Sequence, residues 1–166
     1  LMSMRQISDA VYYNVVKEND FEKNKQDIQS GMNLLYEANK EKLRSIAIYN
    51  NYGSLMAAEP VASQKEDPDV TSQDWYQKAM EEMENMHFST PHIQNLFNDT
   101  THRYYWVVSL SRVVELTDQG VPQAGVLLVD MDFSSISRMM KQINEVNNGQ
   151  YYYLCDSSGE IVYHPR

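Results

Sequence analysis

Asp130 is the side chain whose setting most demands a chemical explanation. In the run 124–133, strand alternation puts Val126, Leu128, Asp130 and Asp132 on one face, with Leu127, Val129, Met131 and Phe133 on the other. Both sets are apolar through Val129, which marks a central strand covered on both sides. A carboxylate there needs a cation or hydrogen-bond donors, because burying it unpaired is costly. A ligand ammonium is one solution; a salt bridge, or exposure at the strand end, is the other. Trp75 and Tyr76 form the second candidate group, either the aromatic wall of a pocket or a plain core pair.

The remaining reactive types argue against catalysis and against metal. His87, His92, His102 and His164 lack the spacing of a metal site. Cys155 is the single cysteine, so neither an internal disulfide nor a cysteine cluster can form, and it is expected to be a small core residue. Ser109 and Ser111 lie in a strand pattern, not in a nucleophile elbow. The run Glu81-Glu82-Met83-Glu84 reads as a solvated helix face. No catalytic residue, metal or cofactor is expected. The net charge of −9 repels nucleic acid and anionic lipid headgroups. No run of about 18 apolar residues is present to span a bilayer. The sequence starts and stops abruptly and reads as an excised piece, with membrane anchors expected outside it.

The elements that must position these groups follow from periodicity. Ile7, Val11 and Val15 predict a helix to about Lys17. Asn19-Asp20 followed by Glu22 predicts a break and a new N-cap, with a second helix to about Arg44 carrying Ile28, Met32, Leu35, Tyr36 and Leu43. These stripes serve core packing and a dimer seam. Residues 45–49 and 54–58 flank the turn Asn50–Gly53 as a hairpin that Pro60 ends. A loop over 61–70 leads to a helix from Thr71 or Ser72 to about Met86. His87–Ile93 is a strand interrupted by Pro91, Asn98-Asp99 a turn, and Tyr104–Val114 a long strand. Thr117–Gly120 is a hairpin loop before the strand that carries Asp130. A helix from Ser134 or Ser135 to about Val146 stops at Asn147-Asn148-Gly149. A last hairpin, 151–155 and 160–163 around the turn Asp156–Gly159, repeats the first: Ile48 falls against Leu154, Gly53 against Gly159, and Leu55 against Ile161. The fold class is therefore α+β, a long N-terminal helical stalk on a PAS-like antiparallel sheet of about five strands.

Several pieces, taken in order, resemble a known family. They are Asp74-Trp75-Tyr76-Gln77-Lys78-Ala79, Phe88-Ser89-Thr90-Pro91-His92-Ile93-Gln94, Val107-Val108-Ser109-Leu110-Ser111-Arg112 and Gly125-Val126-Leu127-Leu128-Val129-Asp130. The chain resembles the double Cache extracytoplasmic sensor domains of bacterial receptors, in particular of sensor histidine kinases. The resemblance implies a stalk over 1–44, a membrane-distal PAS-like subdomain over 45–133, a connecting helix over 134–149, and the first hairpin of a truncated membrane-proximal subdomain over 150–166. It also implies a homodimer through the N-terminal helices, tethering to the plasma membrane through flanking segments, and a small-molecule ligand in the distal pocket. Nucleic acid is not an expected partner. The same module also serves chemoreceptors and cyclic-dinucleotide cyclases, and a ligand-free scaffold is the remaining alternative.

In that family the pocket lies on one sheet face under the segment matching residues 60–100. Members that bind amino acids carry an Arg two residues before the Trp-Tyr pair, a Tyr and an Asp in the Pro strand, and an Asp closing the central strand. This chain keeps Trp75, Tyr76 and Asp130 but has Gln73, His92 and Gln94 at the other positions. A neutral amide is a far weaker carboxylate clamp than a guanidinium. The pattern therefore argues against an amino-acid ligand and for hydrogen bonds from Gln73, His92 and Gln94 to a neutral polar one. Tyr105 and Ser109, on the neighbouring strand, complete the expected lining.

Overall fold

The computed structural model describes residues 2–17, 19–66, 68–98, 105–146, 149–155 and 158–165. Helix α1 (Met4–Ala10) opens on a capping box: the Ser3 hydroxyl accepts the Gln6 N–H, and the Gln6 side chain accepts the Ser3 N–H. The helix continues as a π-wound turn, Val11–Val16, in which the Lys17 N–H reaches back to the Tyr12 carbonyl at 2.9 Å. The second helix, α2, spans Lys25–Asn39 and is shorter at both ends than the pattern predicts. At its start the Asp20 carboxylate accepts from the N–H groups of Glu22 and Lys23, which holds 20–23 in a turn. At its end the Asn39 amide bonds back to the Leu35 carbonyl, and Lys42 N–H closes onto the Asn39 carbonyl. Leu43 and Arg44, expected in the helix, are already strand.

That strand is β1 (Leu43–Asn50), paired with β2 (Leu55–Glu59) across the Asn50–Gly53 turn. Helix α3 (Asp74–Glu81) follows a 3-10 turn at Val70–Ser72 and ends five residues short of Met86. Glu82 leaves helical geometry at φ −122°, and Asn85 bonds to it through both backbone and side chain. The Pro91 strand splits into β3 (His87–Phe88) and β4 (His92–Ile93), both pairing with β5 (Trp106–Asp118). A two-residue turn, Gln119-Gly120, both at positive φ, joins β5 to β6 (Val121–Asp132). This loop is tighter than predicted, because Asp20 from the helical segment accepts both turn N–H groups. Those bonds, that to Gly120 foremost, hold the Asp20 carboxyl below its ordinary range.

The antiparallel sheet runs β2-β1-β6-β5-β3, with β4 also on β5, so the Asp130 strand is central as expected. The alternation of β6 divides the core in two. Leu127 and Val129 pack with Ile46, Ile48, Leu110 and the helical residues Ile7, Val11, Val16, Ile28 and Met32. Val126 and Leu128 pack with Tyr49, Trp75, Tyr76, Ala79, Leu96 and Phe97. Gly125 permits the closest strand approach: an added Cβ would lie 2.6 Å from the Tyr49 carbonyl oxygen.

Helix α4 (Phe133–Val146) leads to the small hairpin of β7 (Leu154–Cys155) and β8 (Ile161–Tyr163). Its pairing matches that of β1 and β2 at one constant offset. Ile48 faces Ala57 and Tyr49 faces Leu55; Leu154 faces Tyr163 and Cys155 faces Ile161. The register slips at the same step in both, and Gly53 and Gly159 both take positive φ. Cys155 is exposed rather than buried, because this hairpin packs on α4 through Leu154, Val162 and Tyr163 instead. The predicted features at Asp99, His102, Tyr104, Asn147, Asn148, Asp156 and Ser157 lie outside the described residues.

Candidate ligand-binding site

Three neighbouring strands bring a polar row to the α3 side of the sheet. Asp130 on β6 is in register with Ser109 on β5 and Ser45 on β1. Directly opposed residues of antiparallel strands share a face, so all three side chains emerge together. Asp130 is 4% exposed and accepts from the Ser109 hydroxyl at 2.5 Å. Burial pushes its carboxyl up to about 6, against the opposing pull of the Ser109 hydrogen bond and the His92 charge. His92 continues the chain from β4: its Nε2 lies 3.3 Å from Ser109 Oγ, and its Nδ1 lies 3.0 Å from the Thr90 carbonyl.

Ser89 Oγ also lies 3.2 Å from Nδ1, so which ring nitrogen donates follows from the imidazole tautomer. Serine thus links a carboxylate and an imidazole, inside a sheet that gives the carboxylate little water.

Trp75, Tyr76 and Gln73 form a tighter assembly beside this row. The Trp75 indole N–H donates to the Gln73 side-chain carbonyl at 3.1 Å, and the Gln73 amide donates to the Pro68 carbonyl. Tyr76 donates its hydroxyl to the Asn50 carbonyl, and Ser111 donates to the Trp75 carbonyl. The Trp75 ring lies 5.5 Å from Tyr49 and 5.8 Å from Tyr76. The Tyr49 hydroxyl is buried and has no partner among the described residues; burial, aided by the Asp130 charge, raises its phenol.

The open space lies one step further along the sheet. A cavity of about 460 Å³ is lined by Tyr36, Arg44, Ser45, Gln94, Phe97 and Tyr105 among others. Its roof is the segments 60–63 and 94–98, inside the span 60–100 expected to cover the pocket. Gln94 shapes that roof: its side-chain oxygen accepts from the N–H groups of Leu96 and Phe97, and its amide donates to the Phe97 carbonyl. Arg44 lies over the Tyr105 ring, with Cζ 3.0 Å from the centroid. Among the described residues no group of three or more His, Cys, Asp or Glu is placed to hold a metal. Among them, too, no helix is long and apolar enough to cross a membrane.

The sequence matches the Cache domain family model dCache_1 across residues 1–166. The chain belongs to the Cache domain family. No curated protein matches it. Among solved structures, this Cache domain is similar to the ligand-binding domain of the Pseudomonas fluorescens chemoreceptor CtaA, solved with L-valine. That likeness has a TM-score of 0.65 at 16% identity, over 96% of this chain and 63% of that one. The Pseudomonas aeruginosa amino acid chemoreceptor PctC, solved with GABA, gives 0.64 at 16% identity over 98% and 65%. The Campylobacter jejuni chemoreceptor Tlp3, solved with 4-methylisoleucine, gives 0.63 at 15% over 95% and 59%. At such identities the likeness is one of fold. The chain spans about three fifths of the length of these domains.

Of the eight residues singled out from the sequence, this Cache domain sets Gln94 and Tyr105 on the cavity. His92, Ser109 and Asp130 are joined in the buried chain that meets the cavity at Ser45. Gln73, Trp75 and Tyr76 are engaged with one another and with the core. Tyr36, Arg44 and Ser45 escaped the sequence reading. Counting back by two from Tyr49 finds Ser45 on the Asp130 face. Arg44 is invisible to that count, because the β1–β6 register slips between Leu43 and Ser45.

Proposed function

We propose that this Cache domain is the extracytoplasmic sensing domain of a bacterial membrane receptor and binds a small molecule in the cavity beside Ser45. The observation that carries the reading is that cavity: about 460 Å³, within the ordinary range for small-molecule sites, on the sheet face that holds the Asp130 row. Membership of the Cache family over the whole chain, and fold neighbours solved with bound amino acids, support it. The domain itself carries out no reaction; it transmits occupancy through the N-terminal helices, α1 packing on β6 and β5 and α2 on β2 and β1. Those helices bury Ile7, Val11 and Val15 against the sheet, so self-association in this proposal uses their outer surface, where Leu34 is 72% exposed. Membrane tethering and a plasma-membrane location belong to the same proposal.

The test is calorimetric and thermal. A metabolite library should contain a compound that raises the melting midpoint, since binding the folded state alone stabilises it by mass action. A library without a hit would favour a scaffold. For the output we propose a histidine kinase, on the resemblance of the stretches around Trp75 and Asp130; the chemoreceptor neighbours favour a second reading, a chemotaxis output. Ligand-dependent phosphorylation of a histidine in the full-length receptor would separate the two.

A further inference from the structure

We infer that Ser45, Tyr36 and Tyr105 form a hydroxyl cluster that binds a polyhydroxylated ligand, a monosaccharide or cyclic polyol, in this cavity. The assignment rests on the ligand-binding reading above and names the chemistry of that site.

Ser45 is the central group. On β1 it shares the front face with Ala47 and Tyr49, and it faces Asp130 across the β1–β6 ladder. It is 8% exposed, lines the cavity and makes no side-chain hydrogen bond among the described residues. A buried hydroxyl without a partner costs free energy that a bound molecule recovers by supplying one. The rest of its row is already engaged: Ser109 donates to Asp130 and also lies within hydrogen-bond reach of His92. Ser45 is thus the end of the row left open to a ligand.

Two phenols complete the cluster. Tyr36 comes from α2, and Tyr105 stands immediately before β5. Both are half-buried, both line the cavity, and neither hydroxyl makes a hydrogen bond among the described residues. Their positions are set by the fold. The Tyr36 side chain packs against the rear core, Arg44 lies over the Tyr105 ring, and the Tyr105 carbonyl accepts the Gln94 N–H at 3.0 Å. A hydroxyl both donates and accepts, and its proton turns to suit the partner. A carboxylate only accepts and an ammonium only donates, so each would use half of what a hydroxyl offers. Ligand hydroxyls use both halves.

The roof adds the second part of the match. Pro60 and Phe97 bring carbon to the lining, while the Gln94 side chain is spent on bonds within the roof itself. The cavity is therefore part apolar surface and part hydroxyl. A sugar or cyclic polyol has the same division, with hydroxyls around the ring edge and C–H groups on the ring faces.

The experiment uses ligands matched by ring skeleton: myo-inositol with cyclohexanol, and D-glucose and D-galactose with tetrahydropyran-2-methanol. Affinities are measured by titration calorimetry on the parent, Ser45→Ala, Tyr36→Phe and Tyr105→Phe proteins, with the fold checked by circular dichroism. At least one polyol should bind about tenfold or more tightly than its skeleton control, the gain of two or more neutral hydrogen bonds. Ser45→Ala should weaken that polyol about two- to tenfold, one such bond, and each tyrosine variant should do the same while keeping its ring in place. A control that binds as tightly as its polyol overturns the assignment. So does an affinity unchanged in Ser45→Ala, or unchanged in both tyrosine variants. Absence of binding by all three polyols overturns it as well; a hit of other chemistry in the metabolite library would then leave the broader ligand-binding reading standing.

Discussion

Behind the sheet, Ile46, Ile48, Leu110, Leu127 and Val129 meet an apolar stripe from α1, the π turn and α2. In front of it, the same three strands present Ser45, Ser109, Ser111, Asp130 and Tyr49 to α3 and the roof loops. The rear has buried polar groups too: Glu59 is held by Gln29 and Asn33, Asn39 closes α2, and Ser8 is buried in α1 with no hydroxyl partner among the described residues. In front they occupy the middle. One set of strands therefore supplies an apolar, shape-filling surface and a polar, largely hydrogen-bonded one, and the division of labour follows from period two. The rear should carry stability; the front should carry recognition at some cost in stability.

The comparison breaks first at Leu127, which is fully buried behind the sheet. Leu127→Ala should lower unfolding free energy by about 2–5 kcal/mol, with ligand affinity corrected for folding unchanged. A loss below about 1 kcal/mol in urea titrations would show that the rear is not the foundation.

The front gives a pH signature of the opposite character. The Asp130 carboxyl stands at about 6 in the fold, above its ordinary 3.8. A raised value means the folded chain holds the proton more tightly than the unfolded one. Its contribution is full below about pH 4 and is lost as pH rises through 6. The charged form then costs about 3 kcal/mol relative to an unshifted carboxyl. Asp130→Asn should remove that slope, so its stability gain over the parent grows between pH 4 and 7. A constant difference across the window would mean that Asp130 is not the titrating group.

Two smaller tests sharpen the contrast between roof and outer surface. Gln94→Ala should cost about 2 kcal/mol, because the Leu96 and Phe97 N–H groups and the Phe97 carbonyl lose their partner. Hydrogen exchange at those two amides should speed before global unfolding. Lys78→Ala, which removes an exposed i,i+4 pair with Asp74, should change stability by less than about 0.5 kcal/mol.

What the sequence disclosed and what it withheld divide along the same line. The rear face was legible because its signal is apolar periodicity, and Leu127, Val129 and the helical stripe all obey it. The polar front was half legible. Alternation found Asp130, the likeness to known sensors supplied His92 and Gln94, and Tyr105 came from its place on the neighbouring strand. The cavity itself stands beside Arg44 and Ser45, where a one-residue slip and an early helix end displaced the count. The limits of α2 and of the β5–β6 loop depended on Asp20, whose carboxylate bridges segments about a hundred residues apart in sequence. No local pattern encodes such a contact.

The π turn at Val11–Val16 leaves the stalk with a residue to spare. Each bond there encloses one residue more than an α-helical bond does. The surplus is taken up on the outer side, where Tyr13 and Asn14 face solvent between the buried Val11 and Val15. Excising one of these two would let the turn rewind to ordinary α geometry while both flanking stripes keep their orientation. The stalk is thus a place where chain length can change by one without turning the segment before it away from the sheet.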